Sequence, residues 1–477
     1  MSSAQKFLTI KQTHTSDMPC PYNRFYKPPM SQFTELQDQL RAQGVRYALG
    51  AYVDIHGVPK AKCVPIDHLP HMMEGSELFT GYALDGLGQG PNDDEIGAVP
   101  DPKSLMILPW NSEIAWFAAD NHFHGQPYPL STRVALQTQI ERARKMGYTF
   151  NLGIEGEIYV LGQDENGKLF VPNPKDNLPK ACYDIDAFMA NFPFLDKMVT
   201  YMNELGWDVY SFDHEDGHGQ YEFDFAYADA LTMADRYIFW RFMAKKVAAD
   251  LGLVATFMAK PFADQAGTGA HFNMSLADAK TGENLFKSDD DPRGLGLSEI
   301  GYHFIGGLKA HGRGLMALAA PTINSYKRLV KRGEMGYYSW APVFNNLGQN
   351  NRSNNYRVPM GGGRVECRGV DSSCNPYLVA AAMLAAGLDG IEAKLDAGEA
   401  IADNIYELTP TQMQARGIEE LPKSLDEALD ALEEDAWFAE HLGAELVEQF
   451  LTLKRAEAQE YHQTISQWEV DRYARFY

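Results

Sequence analysis

Residues Gly153–Val160 read GIEGEIYV, inside an apolar run that opens at Thr149. In extended chain, successive side chains point to opposite faces. Phe150, Leu152, Ile154, Ile158 and Val160 then share one face, with Gly156 in their line, and Asn151, Glu155, Glu157 and Tyr159 share the other. The two carboxylates stand side by side, roughly 7 Å apart at Cα. A single strand of this kind is ordinarily the solvated face of an antiparallel sheet. Three further stretches repeat the pattern. In QYEFDF, Gln220, Glu222 and Asp224 oppose Tyr221, Phe223 and Phe225, and Glu215 lies just upstream in a His-, Asp- and Gly-rich bend. In AHFNMS, His271, Asn273 and Ser275 oppose Ala270, Phe272 and Met274. In RVECR, Arg364, Glu366 and Arg368 oppose Val365 and Cys367. Lysine, common on solvated faces, is absent from all four polar faces.

If these strands share one sheet, Glu155, Glu157, Glu215, Glu222 and Glu366 converge with His271. Five carboxylates in a cleft cannot all stay ionised without countercharge. Oxygen-rich clusters with one imidazole suit Mg²⁺ or Mn²⁺ better than zinc or copper, and six ligands exceed what one magnesium takes, so two or more ions follow, and two or three per site are expected. Arg328, Arg352, Arg357, Arg364 and Arg368 follow in three nearby segments. Each alone reads as a surface ion pair, but planar guanidinium forks beside divalent cations make a site for carboxylates and phosphates. Two anions meeting there point to phosphoryl transfer to a carboxylate. The chain has neither a P-loop nor a kinase signature set.

The 477 residues carry a formal net charge of -22, which disfavours nucleic acid and anionic membranes as partners. Cysteines at 20, 63, 182, 367 and 374 form no C-x-x-C pair and are odd in number, so free thiols in a reducing cytoplasm are expected. The N-terminus lacks an apolar signal-type core. The small-apolar run Tyr377 to Leu388 is short for a bilayer span and reads as a buried helix.

The predicted organisation is α+β. A polar, proline-bearing arm covers residues 1–30. A small domain covers 31–127, with a helix in FTELQDQLRAQG, a hairpin turning at His56-Gly57, and strands in SLMILPW and EIAWFAAD. A large catalytic domain covers 128–477, with helices near 133–146, 233–251 and 376–395 and an acidic helical end that reads as outer surface.

The motifs GIEGEIYV, HEDGHGQYEFDF, FMAKPFADQAGTGAHFNMSL, APTINSYKRLVKRGE, NNRSNNYRVP and RVECRGVDSSCNPYL, in this order over residues 150–380, resemble the glutamine synthetase family. The segment before 127 resembles that family's small β-grasp domain more loosely. The resemblance implies a β-grasp domain followed by a curved antiparallel catalytic sheet flanked by helices. It also implies ATP-dependent ligation of an amine to the γ-carboxylate of glutamate through γ-glutamyl phosphate. By match, Glu157, Glu215 and Glu222 would hold the cation nearer glutamate, and Glu155, His271 and Glu366 the one at the nucleotide. Arg328, Arg368 and the backbone at Gly267 would bind glutamate. Arg352, Arg357 and Arg364, with Asn273 and Ser275, would serve ATP and the transferring phosphoryl group. Glu334 would match a flap glutamate that shields the acyl phosphate and helps deprotonate the amine. The family builds two stacked hexameric rings, a homo-dodecamer with each site shared between neighbours.

The sequence departs from the family pattern in the small domain. Where members carry an ammonium-binding aspartate, LFTGYALDGLG places Thr80, and Glu95 can match a second acidic position downstream. One carboxylate fewer weakens attraction for NH₄⁺ and leaves room for an N-alkyl group, so a small organic amine such as methylamine is expected, with ammonia the alternative. Tyr406 resembles an adenylylated tyrosine of some members but reads first as a packing residue. A catalytically silent relative is the rival reading, and the retained ligand set and arginines argue against it. A metal-dependent phosphatase or nuclease is a third reading, and the five arginines and the acidic net charge disfavour the nuclease.

Overall fold

The computed structural model describes residues 30–331 and 340–477. All but the last residue of the expected arm, and the central part of the expected flap with Glu334, lie outside the described residues.

The small domain opens with α1 (Met30–Ala42). Its strands are β1 (Tyr47–Val53), β2 (Pro59–Pro65), β3 (Glu77–Phe79), β4 (Ile96–Pro100), β5 (Met106–Ile107), β6 (Ile114–Phe123) and β7 (Gln126–Pro127), with α2 (Leu69–Met73) between β2 and β3. The expected hairpin is β1–β2, and Asp54 Oδ1 closes its turn by accepting from His56 N at 3.0 Å and Val58 N at 2.9 Å. The strand order is β2-β1-β6-β4-β3, with β1 and β6 parallel at the centre and β5 and β7 pairing β6. Phe33 and Leu40 of α1 and Leu69 and Met72 of α2 pack against Ala48 and Phe117 of the sheet. This is the β-grasp arrangement. Strand β4 lies inside the glycine- and proline-crowded stretch. Four of its five residues are buried, so it shows no alternation in the sequence.

The large domain carries β8 (Tyr148–Gln163), β9 (Leu169–Phe170), β10 (Val209–His214), β11 (Gln220–Phe225), β12 (Ala228–Asp229), β13 (Val254–Thr256), β14 (Ala270–Asp278), β15 (Leu347–Gln349), β16 (Tyr356–Val358) and β17 (Val365–Cys367). Its order is β10-β11-β8-β14-β17-β16-β15, antiparallel except for β15–β16. The remaining short strands pair β8. The helices that bear on the site are α3 (Thr132–Lys145), α4 (Ile185–Ala190), α5 (Phe192–Glu204), α6 (Ala230–Asp250), α7 (Glu299–Ala310), α8 (Gly312–Ala319), α9 (Ser325–Arg328) and α10 (Pro376–Ala393).

The predicted faces hold. Phe150, Leu152, Ile154, Ile158 and Val160 are buried behind β8, as are Tyr221 and Phe223 behind β11 and Phe272 and Met274 behind β14. Gly156 interrupts the apolar line because α6 passes there. A Cβ on Gly156 would lie 3.0 Å from the Trp240 ring. Helix α10 is 18 residues long and apolar enough to cross a membrane by composition, yet it is largely buried against α3, α6 and α7.

One hydrophobic core runs from the small domain into the large one. Trp116 of β6 stacks on Phe242 of α6 at 5.5 Å between centroids, and Trp110 on Phe239 at 5.6 Å. Arg133 of α3 pins the same junction. It donates to Asp235 at 2.9 Å through both Nε and Nη2, to Asp120 at 2.8 Å and to Asp101 at 2.9 Å.

Candidate active site

The register of the large sheet sets the chemistry. Glu222 pairs directly with Glu157 across β11–β8, and His271 pairs with Glu155 across β14–β8. Glu366 on β17 stands opposite Asn273 on one side and Arg357 on the other. Like charges directly opposite on one face are destabilising, so no fold needs this row for stability.

The donors draw together as the alternation predicts. Ligand atoms of Glu155, His271 and Glu366 lie within 4.8 Å of one another, and so do those of Glu157, Glu222 and His271. His271 Nδ1 is 3.2 Å from Glu155 and 3.5 Å from Glu366, and its Nε2 is 3.8 Å from Glu157. The first trio is the set expected at the nucleotide. The second departs from expectation by taking His271 in place of Glu215. Glu215 sits on the bend between β10 and β11, its carboxylate turned back to accept from Asp216 N at 2.9 Å and lying 4.0 Å from Cys182 Sγ.

Neighbouring groups fix each acid. Glu157 accepts from Gly269 N at 2.7 Å and from Gln220 Nε2 at 2.8 Å, and Ser372 Oγ donates to the Glu157 carbonyl at 2.8 Å. Glu155 accepts from the Asn273 amide at 2.8 Å, and Arg364 Nε donates to the Asn273 carbonyl oxygen at 2.9 Å. Glu366, fully buried, accepts from Arg368 at 2.6 Å and from Arg357. Gln220 was visible on the acidic face of β11 but carried no assigned role. Ser372 lay in the loop after β17 with no periodicity to mark it.

Burial and mutual repulsion shape the proton affinities. Burial, then the Glu157 charge, pushes Glu215 up to about 8. Glu222 is raised well above the usual carboxylate range by burial and then by Glu215 and Glu157. Burial and Glu155 take Asp224 up to about 7, and burial and Glu157 take Asp213 up to about 6. Burial also works against ionised Glu155, but His271, the Asn273 amide and Arg368 outweigh it and hold that carboxyl down to about 2. Acids forced to share protons around one imidazole are a donor set that fits divalent cations, which relieve the repulsion.

The arginines divide. Arg328 ends the one-turn helix α9, where it is buried and donates to the carbonyls of Arg368 at 3.0 Å and Gly369 at 3.3 Å. Burial lowers its proton affinity. The backbone at Gly267 and Gly269 runs against it. A Cβ on Gly267 would lie 2.6 Å from Arg328 Cγ, and one on Gly269 2.7 Å from His271 Nε2. Arg357 and Arg368 flank Glu366, and Arg364 stands at Asn273. Arg352 is exposed in the turn before β16, away from these contacts. Ser275 continues the β14 face beyond Asn273, opposite Asn151.

Thr80 and Glu95 stand apart from the cluster. Both are exposed, at the end of β3 and the start of β4, where the Phe79–Ile96 pairing sets them side by side. Tyr406 is buried, donates to the Ala341 carbonyl at 2.7 Å and packs against Phe344.

An acidic row steadied by amides and flanked by guanidinium forks equips a ligase that brings two anions together. The family described as glutamine synthetase, catalytic domain, matches residues 129–473, and the chain belongs to the glutamine synthetase family. It is 42% identical over 445 residues to the glutamate–methylamine ligase of Methyloversatilis universalis, covering 93% of this chain and 99% of that one. It is 35% identical over 438 residues to the glutamine synthetase of Rhizobium meliloti, covering 91% and 98%. Among solved structures, the GmaS/ADP complex superposes with a TM-score of 0.86 at 39% identity, covering 92% of this chain and 99% of that one. Apo GmaS does so with a TM-score of 0.83 at 40% identity and the same coverage.

Proposed function

We propose that this enzyme ligates methylamine to the γ-carboxylate of L-glutamate at the expense of ATP, releasing ADP and phosphate. The observation that carries the choice of amine is the 42% identity to the glutamate–methylamine ligase over nearly the whole chain, against 35% to the Rhizobium meliloti glutamine synthetase. Thr80, neutral where an aspartate would favour ammonium, supports the same reading.

In this proposal Glu155, His271 and Glu366 hold one divalent cation, and Glu157, Glu222 and Glu215 hold another. Bound there, the cations would neutralise the phosphates of ATP and the glutamate carboxylate. Arg328, Arg368 and the backbone at Gly267 bind and orient glutamate. Arg357, Arg364 and Arg352, with Asn273 and Ser275, hold the nucleotide and the phosphoryl group in transfer. A γ-carboxylate oxygen attacks the terminal phosphorus, and the bond to ADP breaks. The amine nitrogen then attacks the acyl carbon, phosphate leaves, and the amine gives up a proton to Glu334. Thr80 and Glu95 line the amine's approach from the small domain of a neighbouring subunit. Their exposure together, apart from the cluster of their own chain, supports a shared site in a ring assembly of twelve chains. A cytoplasmic location is part of the proposal. It agrees with free Cys63, Cys182, Cys367 and Cys374 and with ATP and glutamate as reactants.

Phosphate release with ATP, glutamate and a panel of ammonia, methylamine and ethylamine at matched concentrations tests the reading. Methylamine should give the highest kcat/KM. A preference for ammonia overturns the choice of amine, and no phosphate release with any amine overturns the ligase assignment.

A further inference from the structure

The bend between β10 and β11 and the loop 265–269 before β14 meet at one side chain. Gln220 opens β11, is 1% exposed, and pairs with Tyr159 across β11–β8. Its amide touches three segments. Nε2 donates to Glu157 Oε2 at 2.8 Å and to the Gly267 carbonyl at 3.0 Å. Oε1 accepts from Gly217 N, on the bend that carries Glu215, at 2.9 Å. These partners fix the sense of the amide: turned over, its oxygen would face a carboxylate and a carbonyl. Moving it would leave buried donors and acceptors unpaired.

At Glu157, Oε2 receives both Gln220 Nε2 and Gly269 N, the latter at 2.7 Å. That oxygen is filled, and Oε1, 3.8 Å from His271 Nε2, is the one left to a cation. In the loop, the same Gln220 nitrogen holds the Gly267 carbonyl. The neighbouring Ala266 carbonyl is held separately, by the Tyr159 hydroxyl at 2.7 Å, and Thr268 Oγ1 donates to the Met258 carbonyl at 2.6 Å. Two hydrogens of one planar amide therefore fix the Glu157 carboxylate and the Gly267 carbonyl relative to each other.

We infer that Gln220 is a positioning residue that couples the glutamate-side cation to glutamate itself. A cation that settles Glu157 also sets the Gly267 carbonyl, and glutamate held on that loop sets Glu157 for the cation. The inference rests on the assignment of Glu157 to a cation and of Gly267 to glutamate. Affinities linked in this way shift each other by the same factor.

The test is calorimetric titration of the full-length enzyme with Mn²⁺, in the absence and in the presence of saturating L-glutamate, without ATP or amine. The ratio of the two Mn²⁺ affinities is the coupling factor, and in the natural protein it should be roughly tenfold. Gln220→Met keeps the length, loses both donations, and should bring the factor to about twofold or less. Tyr159→Phe releases Ala266 in the same loop without touching Glu157. It should weaken glutamate binding by about threefold or more and leave the factor as in the natural protein. Where Gln220→Met does not fold, Gln220→Glu, which keeps an acceptor for Gly217 N and cannot donate to both partners, carries the same expectation. A factor near one in the natural protein, a factor unchanged in the Gln220 variant even with both affinities weakened, or an equal loss of coupling in Tyr159→Phe overturns the inference and leaves the ligase assignment standing. Glutamate that does not bind the natural protein at all, with or without Mn²⁺, overturns the substrate assignment and the inference with it.

Discussion

Cation binding to the acidic row should expel protons, and the number should fall steeply with pH. Glu215 titrates at about 8 and Asp224 at about 7 in the cation-free protein, both raised chiefly by burial and then by neighbouring carboxylates. By their titration curves the two together hold about 1.9 protons at pH 6, about 1.4 at pH 7 and about 0.1 at pH 9. Glu222 is raised as well, by burial and then by Glu215 and Glu157. A divalent cation favours the ionised acids and displaces these protons. The assay is Mn²⁺ titration by calorimetry at pH 6, 7 and 9 in buffers of different ionisation enthalpy, which yields protons released per chain. Release should drop by roughly two protons between pH 6 and 9, and apparent affinity should strengthen over the same range. Glu215→Gln should remove about one proton from the release at pH 7. The sign for stability is opposite. These folded-state values lie above the unfolded ones, so in chelator these three acids contribute stability that is greatest below the ordinary carboxylate range and is lost as pH rises through about 6 to 8. Proton release that is absent, or equal at pH 6 and 9, would refute the shared-proton account of the row.

Three other perturbations have set outcomes. Arg133→Met leaves Asp235, Asp120 and Asp101 facing one another at the junction and should cost about 3–5 kcal/mol in urea unfolding, with Asp235→Asn in the same chain restoring part of it; an unchanged midpoint contradicts the staple. Gly269→Ala brings a Cβ to 2.7 Å from His271 Nε2 and 2.8 Å from Glu157 Oε1, and should weaken cation affinity about 10–100-fold by Mn²⁺ titration with little change in unfolding temperature. Thr80→Asp should shift the kcat/KM ratio toward ammonia over methylamine by about tenfold at low ionic strength, and an unmoved ratio removes Thr80 from amine selection.

Where side chains alternate, the fold and the site were legible together. Strands β8, β11, β14 and β17 each bury one apolar face on helices and turn the other to the acidic row, so period two alone located Glu155, Glu157, Glu222, His271 and Glu366. Strand β4 escaped the same reading because it is covered on both faces and carries no alternation. The backbone contributions also escaped it. Gly269 N on Glu157 and the carbonyls that receive Arg328 depend on where loops pass, and neither side-chain period nor composition encodes that. Arg328 itself was found by motif, but its burial at the end of a one-turn helix was not.

The division of labour between the two faces of β8 explains why the row persists. On one face, Trp240 and Tyr237 of α6 press close enough on Gly156 to forbid a side chain there. That contact fixes the strand's height and register, and a slip of one residue would turn Glu155 and Glu157 into the core. On the other face, Glu157 and Glu222 pair carboxylate to carboxylate, an arrangement that costs stability in the absence of countercharge. The apolar face offsets what the acidic face costs, and the rigid packing behind β8 holds the acids close together.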